Sequence, residues 1–239
     1  MTFAMAAPVV LANNRFFYSR PRFGVAVWLG LFCLSMLFAA IAVFLAFWSV
    51  FETWLTLDRK PLDEIDWISA GAVAFAPWII LAVGGISLAL ANQKLSGLFA
   101  SEAKVDLSAL AGLQAATHQG YAVIELPVDV AHVSSSSSHI IQTRGAAAKL
   151  TESELEACWQ HEAHHIRARH SRLIAFVNLA DRLLRHVPAT RAMKNDVSTL
   201  LEIEADKAIT NPQAGIAAIR KLATGKEADL RIEKLLLRT

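Results

Sequence analysis

Two long runs without a charged residue limit what this chain can fold into. Phe23–Phe51 is one, dominated by Val, Leu, Phe, Ala and Ile; Trp67–Gln93 is the other, with Pro77 part-way along as an expected kink. Each exceeds the ~20 apolar residues that cross a bilayer core. The alternative is a pair of helices buried in a globular core, and the lengths weigh against it. Hydrophobic residues make up 54 % of the 239 residues, high for a soluble protein. Residues 23–93 are therefore expected to form two transmembrane helices joined by a short external loop, 52–66.

Flanking charge sets the orientation. Residues 1–22 carry Arg15, Arg20 and Arg22 and no acid, which marks them as cytoplasmic. The loop holds Arg59 and Lys60 against Glu52, Asp58, Asp63, Glu64 and Asp66, as an outside loop does. The second run then returns the chain to the cytoplasm, with Lys94 just past its end. The expected address is the cell membrane, of the bacterial plasma-membrane type, multi-pass, with the rest of the chain cytoplasmic. The apolar run Phe3–Leu11 lacks a preceding positive charge and a distinct cleavage signature, so it does not read as a secretory signal. Cys33 and Cys158 fall in a span and on the cytoplasmic side, where thiols stay reduced, and so do not suggest a disulfide. A net charge of +2 without a basic, aromatic-interleaved stripe gives no reason to expect nucleic acid as a partner.

Residues 94–118 read as an Ala- and Leu-rich helical linker, and 119–239 as the soluble domain. Tyr121–Leu126 and His139–Thr143 have strand composition. The serines of 134–138 read as a solvated loop in preference to an edge strand. His132 and His139 flank that run and are weak candidates for metal ligation. Thr151 and Glu154 make a T-x-x-E capping box that opens a helix. No Gly or Pro interrupts it before Pro188, which is expected to end it, although a bend after His170 is allowed. A helix over 189–210 is closed by Asn211-Pro212, and two more, 213–224 and 227–238, are separated by Gly225. The fold class expected is mainly α with a small β element.

Within the capped helix stands His161-Glu162-Ala163-His164-His165, an HExxH motif. Residues four apart share a helix face, so His161 and His165 can reach one zinc ion, with Glu162 beside it as a base for the bound water. A catalytic zinc site uses three protein ligands and one open position. Glu202 in Glu202-Ile203-Glu204-Ala205-Asp206 is the best candidate for the third. Asp206, four residues on, shares its face and can hold the other N–H of a ligand histidine. Glu204 is rotated by about 200° and is expected to point to solvent. His164 and His170 read as solvated or supporting residues, and Cys158 as a packed thiol.

HEAHHIRARH followed by EIEAD resembles the gluzincin membrane metallopeptidases, which include HtpX-type proteases and BlaR/MecR-type sensor peptidases. The short gap between His165 and Glu202 is closer to the BlaR/MecR type. So is the order of strand, KLTESELEACWQHE, basic residues, apolar helix and EIEAD. The resemblance covers roughly residues 119–225, and its specific part is the two motifs. It implies a zincin-like domain with Zn2+ held by His161, His165 and Glu202, Glu162 as the catalytic base, and Asp206 as the family's second acid. The full sensors carry more spans and an extracellular ligand-binding domain, which these 239 residues do not contain. In such proteases the strand that pairs with substrate is apolar and regular, whereas here it is preceded by five serines.

The function expected is that of a membrane-anchored zinc endopeptidase facing the cytoplasm, in signalling or regulatory proteolysis. Zinc would polarise the scissile carbonyl and activate a water, and Glu162 would pass that water's proton to the leaving amine. Its partners would be the lipid bilayer and a protein or peptide substrate, a regulator or a membrane protein. The alternatives are an HtpX-type quality-control protease and a catalytically inactive sensor or scaffold. Arg167, Arg169 and Arg191 are equally available to stabilise an oxyanion. An intramembrane protease is set aside because Glu152–Arg172 is too polar to span.

Overall fold

The structure, a computed structural model, describes residues 15–57, 71, 75, 114–136, 138–185 and 187–238. In the described chain, helices α1 (Arg15–Ser19) and α2 (Pro21–Leu57) come first. Strands β1 (Gln114–His118), β2 (Tyr121–Leu126), β3 (Val133–Ser135) and β4 (His139–Thr143) follow. Helices α3 (Arg144–Lys149), α4 (Glu152–Arg167), α5 (His170–Leu183), α6 (Pro188–Asp206), α7 (Pro212–Leu222) and α8 (Lys226–Leu236) complete it. The fold is mainly helical with a small sheet, as expected. Contacts divide the chain into two units, Met1–Trp28 with Ala103–Thr239, and Leu29–Glu102.

In the second unit, α2 shows large apolar side chains on all sides: Phe38, Phe44 and Trp54 are each more than 60 % exposed. None of its apolar window is buried within the protein. A helix satisfies its own backbone hydrogen bonds, so such a segment can sit in lipid where an irregular one cannot. Among the described residues, α2 is the one helix long and apolar enough to cross a membrane. The expected second span, 67–93, lies outside the described residues except for Gly71 and Phe75, both helical.

In the first unit, the sheet order is β1-β2-β4-β3. β1 and β2 are antiparallel, β2 and β4 parallel, and β3 closes one edge antiparallel to β4. Gln119 and Gly120, both at positive φ (48° and 84°), make the two-residue turn of the first hairpin. Here the helical reading of 94–118 needs correcting. Gln114–His118 is a strand, because pairing with Tyr121–Ile124 overrides a weak helical preference; residues 94–113 lie outside the described part. The serine run is corrected in part too: Ser134 and Ser135 belong to β3 and pair with Ile141 and Ile140.

The inner face of the sheet buries Val123 and Ile140 against Ala163 of α4, with Trp159 and Ile166 alongside. The predicted capping box is present: Thr151 N–H donates to Glu154 Oε2 at 2.7 Å, and Thr151 Oγ1 accepts from Glu154 N at 3.4 Å. α4 ends earlier than the absence of Gly and Pro suggested. Arg169 adopts a left-handed conformation (φ 56°), and α5 starts from it at His170. Pro188 does not terminate a helix. It occupies the first turn of α6, where its missing N–H leaves no bond unmade. Asn211 caps α7 by accepting from Ala214 N at 3.2 Å.

α1 and the first turns of α2 dock on α6. Phe17, Val25 and Trp28 are buried, and Trp28 Nε1 donates to Asp196 Oδ2 at 2.8 Å. Gly24 permits this approach, since a Cβ there would lie 2.8 Å from Leu200 Cδ1 and 2.9 Å from Phe17 Cβ. Gly24→Leu is expected to destabilise the first unit by about 1–3 kcal/mol through overpacking, read as a lower thermal midpoint in detergent. An unchanged midpoint would show that these turns do not dock there.

Candidate metal centre

α4 and α6 bring together the residues that the two sequence motifs single out. His161 Nε2 and His165 Nε2 are 3.1 Å apart. Glu202 reaches both, with Oε2 3.2 Å from His161 Nε2 and Oε1 3.4 Å from His165 Nε2. Two ligands of a tetrahedral metal bonded at ~2.0–2.1 Å are separated by about 3.3 Å. Each of these spacings is close to such an edge, the two histidines facing different oxygens of the Glu202 carboxylate, and the group can hold a metal ion. Both histidines are buried and Glu202 is half-buried.

Asp206 lies behind the group. Its Oδ1 is 2.9 Å from His161 Nδ1, the ring nitrogen facing away from the cluster. With its hydrogen held there, His161 presents the bare Nε2 that a metal requires. Arg231 of α8 completes this layer with a bidentate contact to Asp206 (Nε to Oδ2 2.8 Å, Nη2 to Oδ1 2.7 Å) and a third contact, Nη1 to Glu202 Oε2, at 3.0 Å. Arg238 donates to the Asp206 carbonyl at 2.8 Å and so caps the end of α6. Arg231 lies outside both sequence motifs. Its signal was there: Arg231 stands three residues after Ala228 and four before Leu235, both buried, on the inward face of an amphipathic helix.

Protonation follows from this packing. Burial opposes charge on His161, but Asp206 and Glu202 outweigh it and hold the metal-free pKa up at about 9. Burial, followed by repulsion from His161, lowers His165 to about 3. Burial works against the Glu202 and Asp206 carboxylates too, yet their His161 and Arg231 contacts bring both down to about 2. Glu162 goes the other way: burial raises its pKa, although Ser135 of β3 hydrogen-bonds its carboxylate. The Cys158 thiol, a packed side chain as expected, is pushed up to about 12 by burial and by Glu162.

His161, Glu162, Glu202 and Arg231 line a cavity of about 320 Å3. Val133 of β3 forms part of one wall, and Ile219 and Leu222 of α7 part of another. None of Arg167, Arg169 and Arg191 lines it; all three are exposed, and Arg167 donates to Gln119 in the hairpin turn. His132 and His139 stay out of the cluster, His139 Nδ1 lying 2.7 Å from Ser138 Oγ.

Glu204 corrects its sequence reading. It is 6 % exposed, faces His164 and His170, and is ion-paired to Arg22 at the start of α2. His170 is likewise buried, at 2 %. The helical wheel was right about the rotation of Glu204 away from Glu202, but α2 and α5 cover the face to which it points. The chain matches no protein-family model, no curated protein and no solved structure.

Two outcomes are expected. Asp206→Asn should weaken metal binding by about 10–100-fold, measured by competition with a chromophoric chelator. Because a metal must displace the His161 proton, affinity should rise about tenfold per pH unit towards pH 9 and then level off.

Proposed function

We infer that the chain is a membrane-anchored zinc endopeptidase whose catalytic unit faces the cytoplasm. The observation that carries this reading is the mutual spacing of His161, His165 and Glu202, 3.1–3.4 Å, with His161 and Glu202 lining a cleft that Glu162 lines too. Two imidazoles and one carboxylate are a donor set of catalytic zinc. Bound there, zinc supplies a Lewis acid that polarises a carbonyl and acidifies water.

The chain's own residues do the rest. Glu162 takes a proton from the attacking water and delivers it to the leaving amine, and its raised pKa suits an acid–base group working near neutrality. Asp206 and Arg231 hold His161 and Glu202 in place. β3 stands at the sheet edge beside the cleft, so an extended peptide can add to it as a further strand, with Ser135 keeping Glu162 turned towards it. Opposite, Ile219 and Leu222 offer an apolar wall to a side chain next to the scissile bond. The reading includes a zincin-like domain, a second span over 67–93 and likeness to BlaR/MecR-type peptidases in the two motifs.

Glu162→Gln is expected to leave zinc stoichiometry unchanged while hydrolysis of an unfolded protein substrate falls by about 10²–10⁴-fold. Full activity in that variant would place the base elsewhere. Reporter fusions should read cytoplasmic after Lys94 and external within 52–66; an external signal after Lys94 overturns the placement.

A further inference from the structure

Beside the first cluster stands another set of convergent donors. His164 Nε2 is 3.5 Å from Glu204 Oε1, and His170 Nε2 is 3.7 Å from Glu204 Oε2. One ligand atom from each of the three residues lies within 4.8 Å of the other two. His170 and Glu204 are buried, and His164 Nε2 is a buried ring nitrogen without a hydrogen-bond partner. An unsatisfied buried nitrogen turned towards a carboxylate is costly unless something supplies the missing contact. We propose that His164, His170 and Glu204 form a second divalent-cation site, and that its occupation opposes occupation of the first.

Arg22 brings a positive charge to this group, with Nε donating to Glu204 Oε1. Its side chain is 79 % exposed, so it can leave for water at little cost. The donor spacings here, 3.5 Å and above, are wider than the tetrahedral edge of about 3.3 Å, which makes this the weaker site.

The opposition comes from counting hydrogens. His165 Nδ1 and His170 Nδ1 are 3.1 Å apart, room for one shared hydrogen and not two. A neutral imidazole that binds metal through Nε2 carries its hydrogen on Nδ1. Metal on His165 thus directs an N–H at His170, whose own hydrogen must then sit on Nε2, the donor atom of the second site. Metal on His170 does the reverse. Filling both sites sets two N–H groups face to face and forces the rings apart. The second site stands on its own donors; only the opposition rests on the first site binding through His165.

The test is titration of the full-length, metal-free protein in detergent with Zn2+ alone, with Co2+ absorption reporting the donor set. Wild type is expected to take one equivalent tightly and a second at least about tenfold more weakly. His164→Ala and Glu204→Gln should lose the weak equivalent and keep the tight one. Arg22→Ala, at an exposed position, should tighten the weak equivalent alone. Glu202→Gln should lose the tight equivalent and strengthen the remaining one. A single equivalent in wild type, abolished by His161→Ala, would remove the second site and leave the proposed peptidase intact. A second equivalent that survives His164→Ala is adventitious and overturns the assignment. A second equivalent that Glu202→Gln leaves unchanged overturns the opposition. No zinc at all removes both sites.

Discussion

The buried ionic contact between α4 and α6 is the interaction on which the first unit depends. His161, Glu202, Asp206 and Arg231 carry charges of both signs into the interior, where each alone would be expensive to bury. Together they satisfy one another: two carboxylates face one guanidinium and one imidazolium at 2.7–3.2 Å. Truncating one partner would leave the others uncompensated, so the cluster also dictates how α8 must lie. Arg231 of α8 and Arg238 just past its end both reach the end of α6, and Leu235 is buried in the core between them in sequence.

Successive positions of α6 serve different partners because a helix turns by about 100° per residue. Glu202 and Asp206 look towards α4 and the cleft. Glu204 looks towards α2 and α5, and Asp196 and Leu200 receive Trp28 and Gly24. One helix therefore joins the candidate metal centre to the first turns of the candidate membrane helix. Arg22 touches Glu204, Glu204 faces His170, and His170 lies against His165, so every link between α2 and the metal cluster is a named contact.

Much of the site was legible because its geometry is local. His161 and His165 are one helical turn apart, the Thr151–Glu154 box starts that helix where expected, and Glu202 and Asp206 share a face by periodicity alone. What could not be read were contacts made across the chain. Arg231 is 25 residues from Asp206 in sequence, and Arg22 is 182 from Glu204. Gln114–His118 and Ser134–Ser135 became strands through their neighbours, since strand pairing is a non-local bond with a weak local signature.

The amino-acid sequence by itself determined the apolar helix near the N-terminus, the helical character of most of the described chain, and the presence of two histidines and two acids on matching faces. These follow from hydrophobic runs and from helical period, both of which act over a few residues. Tertiary structure alone decided that the two faces meet, that Arg231 locks them, and that Glu204 is enclosed instead of solvated. Those outcomes depend on which helix covers which face, and burial is a property of the neighbour as much as of the residue.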